Sequence, residues 1–151
     1  MLKIHFLGLG GIGVSSLAQY YLARGEEVSG SDLTESEITR ALKKQGVRVF
    51  IGPHRAANLL EVKPDLVISS PAITPDNPEL KTAKKEGITC QSYPQALGEL
   101  TKKHFTLAIC GTHGKGTTTA LISLILIKAK FDPTVVIGTK LKEFGDSNFR
   151  P

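Results

Sequence analysis

Apolar residues recur along the first hundred positions in two alternating rhythms. Short runs, Leu2–Leu7, Glu27–Gly30, Val47–Ile51, Leu66–Ser70 and Ile88–Cys90, have the length and make-up of strands. Between the first two, Leu17, Ala18, Tyr21 and Leu22 share one face of a helix predicted over Ile12–Arg24, with Gly25 as its stop. Thr34 is the expected cap of a second helix, Glu37 completing a Ser/Thr-x-x-Glu box and Leu33 and Ile38 placed as a hydrophobic staple. Ile38 and Leu42 form its inner face and Gly46 ends it. Asn77-Pro78 is a cap followed by proline at the first helical position, in a helix that Gly87 closes, and Pro94–Leu100 predicts one more short helix. The run Asp65-Leu66-Val67-Ile68-Ser69 is apolar throughout its centre, as a strand covered on both faces requires. This alternation predicts an α/β fold, a Rossmann-like parallel sheet with helices on its faces.

The polar stretch Thr101-Lys102-Lys103-His104 divides the chain into residues 1–104 and 105–151. After it come a predicted strand, Phe105–Cys110, a long apolar helix from about Thr117 to Ala129, an Asp132-Pro133 turn and a strand Val135–Ile137. A lone βαβ unit cannot bury a sheet on both faces. Residues 105–151 therefore read as the truncated start of a second domain.

Composition narrows the function without defining it. With 40% hydrophobic and 22% charged residues the chain has what a globular core needs. Its net charge of +5 comes from scattered lysines and arginines, with no basic stripe interleaved with aromatics, so nucleic acid is not an expected partner. Ala120–Ile127, the most apolar run, falls far short of the roughly 20 residues that cross a bilayer. The N-terminus lacks the order of a signal peptide, and a cytoplasmic protein without membrane association is expected. Cys90 and Cys110 have no metal-ligand spacing and read as buried free thiols.

Two glycine loops carry the chemistry. The first, Gly8-Leu9-Gly10-Gly11-Ile12-Gly13, follows a strand and opens a helix. One glycine makes the tight turn, one lets backbone amides approach a diphosphate, and one lets helix pack on strand; the helix N-terminus then faces the phosphates. Asp32, 19 residues beyond Gly13 at the end of the second strand, is placed to accept a ribose hydroxyl. Such a loop selects a diphosphate and a ribose, which NAD and UDP-sugars both carry, so a nicotinamide dehydrogenase and a nucleotide-sugar protein stay open.

The second loop, Gly111-Thr112-His113-Gly114-Lys115-Gly116, is the phosphate-cradling part of a P-loop, with Lys115 as point charge. The general pattern Gly-x-x-x-x-Gly-Lys-Ser/Thr fails twice, at Ile109 and at Gly116. Its variant Ala-x-x-Gly-Thr-x-Gly-Lys resembles the loop of the Mur ligases, ATP-dependent enzymes that add amino acids to UDP-N-acetylmuramic acid. The opening Gly8–Ser15, Gly30-Ser31-Asp32, Ser69-Ser70, Asn77-Pro78-Glu79 and Asp132–Gly138 are similar to segments of the same family, in order.

The resemblance implies a UDP domain over 1–104 and the start of an ATP-binding domain over 105–151. It implies UDP-N-acetylmuramate, ATP and L-alanine as partners, Mg²⁺ with the ATP, and an acyl-phosphate intermediate. Gly8, Gly10, Gly11, Ile12, Gly13, Ser31, Asp32, Ser69 and Ser70 would bind the UDP part. Gly111, Thr112, His113, Gly114, Lys115, Gly116 and Thr117 would bind ATP, with Lys115 catalytic and the metal ligands unassigned. The family carries a hydroxyl after the P-loop lysine where this chain has Gly116, so Thr117 would have to substitute and metal-assisted transfer should weaken. A non-catalytic nucleotide-sugar-binding module therefore also stays open.

Among other residues, His5 lies on the first strand and reads as structural, and His104 as linker. His54 resembles a family position near the uracil, against the plain reading of a surface turn. Ser69 and Ser70 end a parallel strand, where the ligands of open sheets gather. Glu35 and Glu37 are helix-start charges.

Overall fold

The structure, a computed structural model, describes all 151 residues. Five parallel strands form one sheet: β1 (Lys3–Leu7), β2 (Glu27–Asp32), β3 (Arg48–Ile51), β4 (Leu66–Ser69) and β5 (Thr89–Ser92), in the order β3-β2-β1-β4-β5. The helices between them are α1 (Ile12–Ala23), α2 (Glu37–Lys44), α3 (Ala56–Val62) and α4 (Pro78–Lys85), and α5 (Tyr93–Thr101) follows β5. Alternation along β1 divides the core. Ile4 and Phe6 pack with Val14, Leu17 and Ala18 of α1, Leu42 of α2 and Ala96 of α5. On the opposite face Leu7 joins Val67, Leu59 of α3, and Leu80 and Ala83 of α4. This is the doubly wound α/β arrangement that the strand–helix alternation predicts.

Local signals account for most boundaries. Asn77 caps α4, its Oδ1 accepting from the amides of Glu79 and Leu80 at 2.9 and 3.1 Å, with Pro78 at the first helical position. Two expectations for α2 fail. Its cap is Ser36, not Thr34: Ser36 Oγ accepts from the Thr39 amide at 3.2 Å, and Thr39 Oγ1 accepts from the Ser36 amide at 2.8 Å. The Thr34 amide instead donates to Asp32 Oδ1 at 3.3 Å, and Leu33 is exposed, so the staple does not form. Helix α3 was not predicted; it is seven residues long, has no side-chain cap, and shows its pattern only in Leu59 and Val62.

Beyond residue 104 the structure departs further from the reading. Phe105–Cys110 forms no strand and pairs with neither edge strand of the five-stranded sheet, β3 or β5. Phe105 is 96% exposed, and Cys110 is exposed rather than a buried thiol; Cys90 is half-buried. Helix α6 (Lys115–Lys128) forms, but β6 (Val135–Leu141) does not complete a βαβ unit. It turns back through Gly145 and Asp146 into β7 (Ser147–Arg150) and pairs with it antiparallel. The hairpin packs on α1, Phe149 entering the core beside Tyr20 with ring centroids 6.4 Å apart.

Candidate functional site

In the order β3-β2-β1-β4-β5 the chain reverses its winding between β1 and β4, the place where open α/β sheets leave a crevice beyond their strand ends. Leu7 is level with Ser31 on one side and Ser69 on the other, so the residues after all three strands converge there. Gly8 turns the chain with φ +77°, and a Cβ on it would lie 2.9 Å from Cβ of Ser70. Only glycine combines that backbone with that approach.

The amides of the loop divide into two sets. Gly8 and Leu9 donate to the Ser31 carbonyl at 2.9 and 3.1 Å, Gly11 to the Gly8 carbonyl at 3.1 Å, and Gly10 to Asp32 Oδ2 at 2.7 Å. Ile12, Gly13 and Val14 have no acceptor within the chain; Ser15 makes the first bond of α1, to Gly11. No side chain caps this helix and no acidic residue stands in its first turn. Three adjacent free amides at an uncapped, electropositive helix end are an anion cradle. Tyr93, at the start of α5, covers Gly13: a Cβ there would sit 2.8 Å from the phenol Cζ. Tyr93 was not among the expected site residues, though its place directly after β5 puts it at the same sheet edge.

The other expected residues take varied places. Asp32 is half-buried and braces the loop through Gly10 and the following turn through Thr34. Ser70 supports Gly8, its amide donating to the Leu7 carbonyl, and Ser69 Oγ donates to the Gln91 carbonyl at 3.5 Å. Ser31 is fully buried, its hydroxyl donating to Glu79 Oε2 at 3.1 Å.

Glu79 is the hub of a buried network that the sequence reading missed. Oε2 also takes His5 Nε2 at 2.8 Å, and Oε1 takes Asn58 Nδ2 and His54 Nδ1, both at 3.1 Å. Ser29 donates to the Ile4 carbonyl and its Oγ lies 2.9 Å from His5 Nδ1, so both ring nitrogens of His5 are paired with side-chain oxygens. With the Ser31 hydroxyl spent on Glu79, His54 Nδ1 is free to donate to Glu79 Oε1. The His54 side chain is only 7% exposed, so it is not a surface-turn histidine. Burial pushes the Glu79 carboxyl up, but the hydrogen bonds of His5 and Asn58 and the charges of His5 and His54 outweigh that and hold it below its ordinary value.

At the second loop, Gly114 caps α6 in the left-handed conformation and Thr118 makes the first helical bond, to Gly114. None of the amides from Thr112 to Thr117 has an acceptor within the chain. Lys115 Nζ donates to the carbonyls of Gly111 and Thr112 at 2.6 and 3.2 Å, which holds its charge over the loop. Gly116 and Thr117 lie in the first turn, and Thr139 of β6 is the one side chain near Gly116. No group of three His, Cys, Asp or Glu side chains is arranged to hold a metal, and no helix is long and apolar enough to cross a membrane.

A Rossmann-like sheet with an open anion cradle at its switch point, followed by a second phosphate loop at the head of α6, defines a class of nucleotide-binding α/β proteins. The description "Mur ligase family, catalytic domain" matches residues 3–105, and the chain belongs to the Mur ligase family. It is 46% identical over 143 residues to the UDP-N-acetylmuramate–L-alanine ligase of Aquifex aeolicus, covering 95% of this chain and 31% of that protein. The enzyme of the same name from Campylobacter jejuni is 46% identical over 147 residues, 97% of this chain and 32% of the other. Among solved structures, the UDP-N-acetylmuramate–alanine ligase of Thermotoga maritima superposes with a TM-score of 0.92 at 36% identity, covering 99% of this chain and 35% of that one. The UDP-N-acetylmuramate:L-alanyl-γ-D-glutamyl-meso-diaminopimelate ligase of Neisseria meningitides gives 0.90 at 31%, covering 97% and 46%. The chain thus spans about a third of the length of the curated relatives it matches.

Proposed function

We propose that residues 1–104 hold the diphosphate of UDP-N-acetylmuramate, and that residues 105–151 begin the unit that holds ATP, in a cytoplasmic ligase that joins L-alanine to the muramate carboxylate. The carrying observation is that the amides of Ile12–Val14, in the first turn of α1, and of Thr112–Thr117, in the loop and first turn leading into α6, are free of any acceptor in the chain, with no side chain capping either helix. Family membership and the likeness to L-alanine ligases support the choice of ligands.

In this reaction the γ-phosphoryl group of ATP passes to the carboxylate, giving an acyl phosphate and ADP. The L-alanine amine then attacks the acyl carbon, phosphate leaves, and the amine loses its proton as the amide forms. This chain contributes positioning and charge. The amides of Thr112–Thr117 orient the phosphates, and Lys115 exchanges its contacts with Gly111 and Thr112 for a phosphate oxygen. Mg²⁺ bound together with ATP would neutralise phosphate charge. Thr117 offers the nearest hydroxyl, one residue past Gly116, and these residues do not by themselves complete a metal site.

Calorimetry of the chain with UDP-N-acetylmuramate, and separately with NAD, tests the reading. Heat of binding from the UDP-sugar alone is expected. Binding of NAD without the UDP-sugar would make this a dinucleotide domain instead.

A further inference from the structure

The reaction outlined above uses no residue beyond Thr117, yet the hairpin returns to the first glycine loop. β7 brings Asn148 to the first turn of α1, where it is 4% exposed. Its Nδ2 donates to the Ile12 carbonyl and lies 3.0 Å from Ser15 Oγ, while Oδ1 accepts from Gln19 Nε2 at 2.8 Å. Ser147 Oγ donates to Gln19 Oε1 at 3.0 Å, fixing the glutamine that fixes the asparagine. Phe149, on the other face of β7, anchors the strand in the core.

The target of this contact matters because a peptide unit is planar. The Ile12 carbonyl and the Gly13 amide belong to one plane and point in opposite directions, so holding the first aims the second. A donor on the carbonyl also polarises the unit and strengthens its N–H as a donor. From within α1 the same carbonyl also accepts from Ser15 Oγ at 3.0 Å and Tyr93 packs on Gly13, but Asn148 is the one hydrogen-bond donor that reaches this carbonyl from outside the helix. We infer that Asn148 is a positioning residue for the anion cradle: it presets the Gly13 amide, and its neutral carboxamide does so without placing negative charge beside a diphosphate. This rests on the diphosphate reading of the first loop.

The test uses the 151-residue chain, with Asn148→Ala, Asn148→Asp and Gln19→Ala, titrated with UDP and with UDP-N-acetylmuramate. The ligand-free Gly13 amide is followed by ¹⁵N NMR. Asn148→Ala should weaken both ligands by the same factor, roughly tenfold, as loss of one hydrogen bond to a peptide group predicts. Asn148→Asp, the same shape with a charge, should weaken them further, and the Gly13 resonance should move in both variants. Gln19→Ala should reproduce part of the loss and add nothing to Asn148→Ala. Should Asn148→Ala fail to fold, the isosteric aspartate variant carries the test. Wild-type affinity retained in both Asn148 variants, with Gly13 unmoved, overturns the positioning role alone. Failure of the wild-type chain to bind either ligand removes the diphosphate reading and this role with it.

Discussion

Two glycines, one in each loop, stand in opposite steric situations. A methyl group at Gly13 would meet the Tyr93 ring at 2.8 Å, inside the closest approach of carbon atoms. Gly13→Ala should therefore lower stability by about 1–3 kcal/mol, the usual range for overpacking, and displace Tyr93 from the cradle. Chemical denaturation of Gly13→Ala, Tyr93→Ala and the double variant checks this; the two changes must be strongly non-additive, and simple additivity would mean the ring is not the obstacle. Gly116 is the reverse case, since a Cβ there meets only Thr139 Cγ2, at an ordinary 3.5 Å. Gly116→Ser should raise stability by about 0.5 kcal/mol through helix propensity and restore a hydroxyl in the first turn of α6. ATP titrations with and without Mg²⁺ should show a larger metal-dependent gain in the serine variant; equal gains would mean that Thr117 already serves.

At the scale of elements, Glu79 ties β1, β2, α3 and the turn carrying His54 to the start of α4. Glu79→Gln replaces an acceptor of four donors with a group that itself donates, and should cost about 3–5 kcal/mol, the range for breaking a buried charge pair. The folded carboxyl lies below its ordinary 4.5, so its contribution is fully present above that value and is lost as pH falls through the folded value. Urea midpoints from pH 7 to pH 3 should show the gap between wild type and Glu79→Gln closing on the acid side; a constant gap would remove the carboxylate from the explanation. The same elements show what the sequence made legible. Five strands and four of the five helices between and after them followed from period and punctuation, because each signal acts within one element. The network did not, because His5, Ser31, His54, Asn58 and Glu79 are brought together only by sheet order. Thr34 was expected as the cap of α2, but the helix starts two residues later with Ser36 as its cap, while the Thr34 amide donates to Asp32. Strand β7 holds one apolar residue in four, so Ser147–Arg150 carried no periodic signal.

Over the whole molecule, the polar stretch at 101–104 suggested two units, but the packing crosses it. The hairpin lays Val136 and Phe149 against the α1 side of the core, and Lys140 pairs with Glu37 of α2 at 3.0 Å. His104, expected as plain linker, stacks edge-on against Tyr20 with Nε2 3.2 Å from the phenol oxygen. The exposed pair Lys140–Glu37 adds little, so the coupling rests on burial, and Phe149 is its centre. Phe149→Ala should cost about 3–5 kcal/mol and, because Tyr20 and Tyr21 lie in the same cluster, should destabilise the five-stranded part as a whole. Thermal unfolding followed by tyrosine fluorescence and by far-ultraviolet dichroism checks this, with one coincident transition expected for the wild-type chain. A chain ending at residue 104 should melt lower than the 151-residue chain by an amount close to that of Phe149→Ala. If it melts at the wild-type temperature, the hairpin is a passenger, and the first glycine loop is built entirely by the residues that precede it.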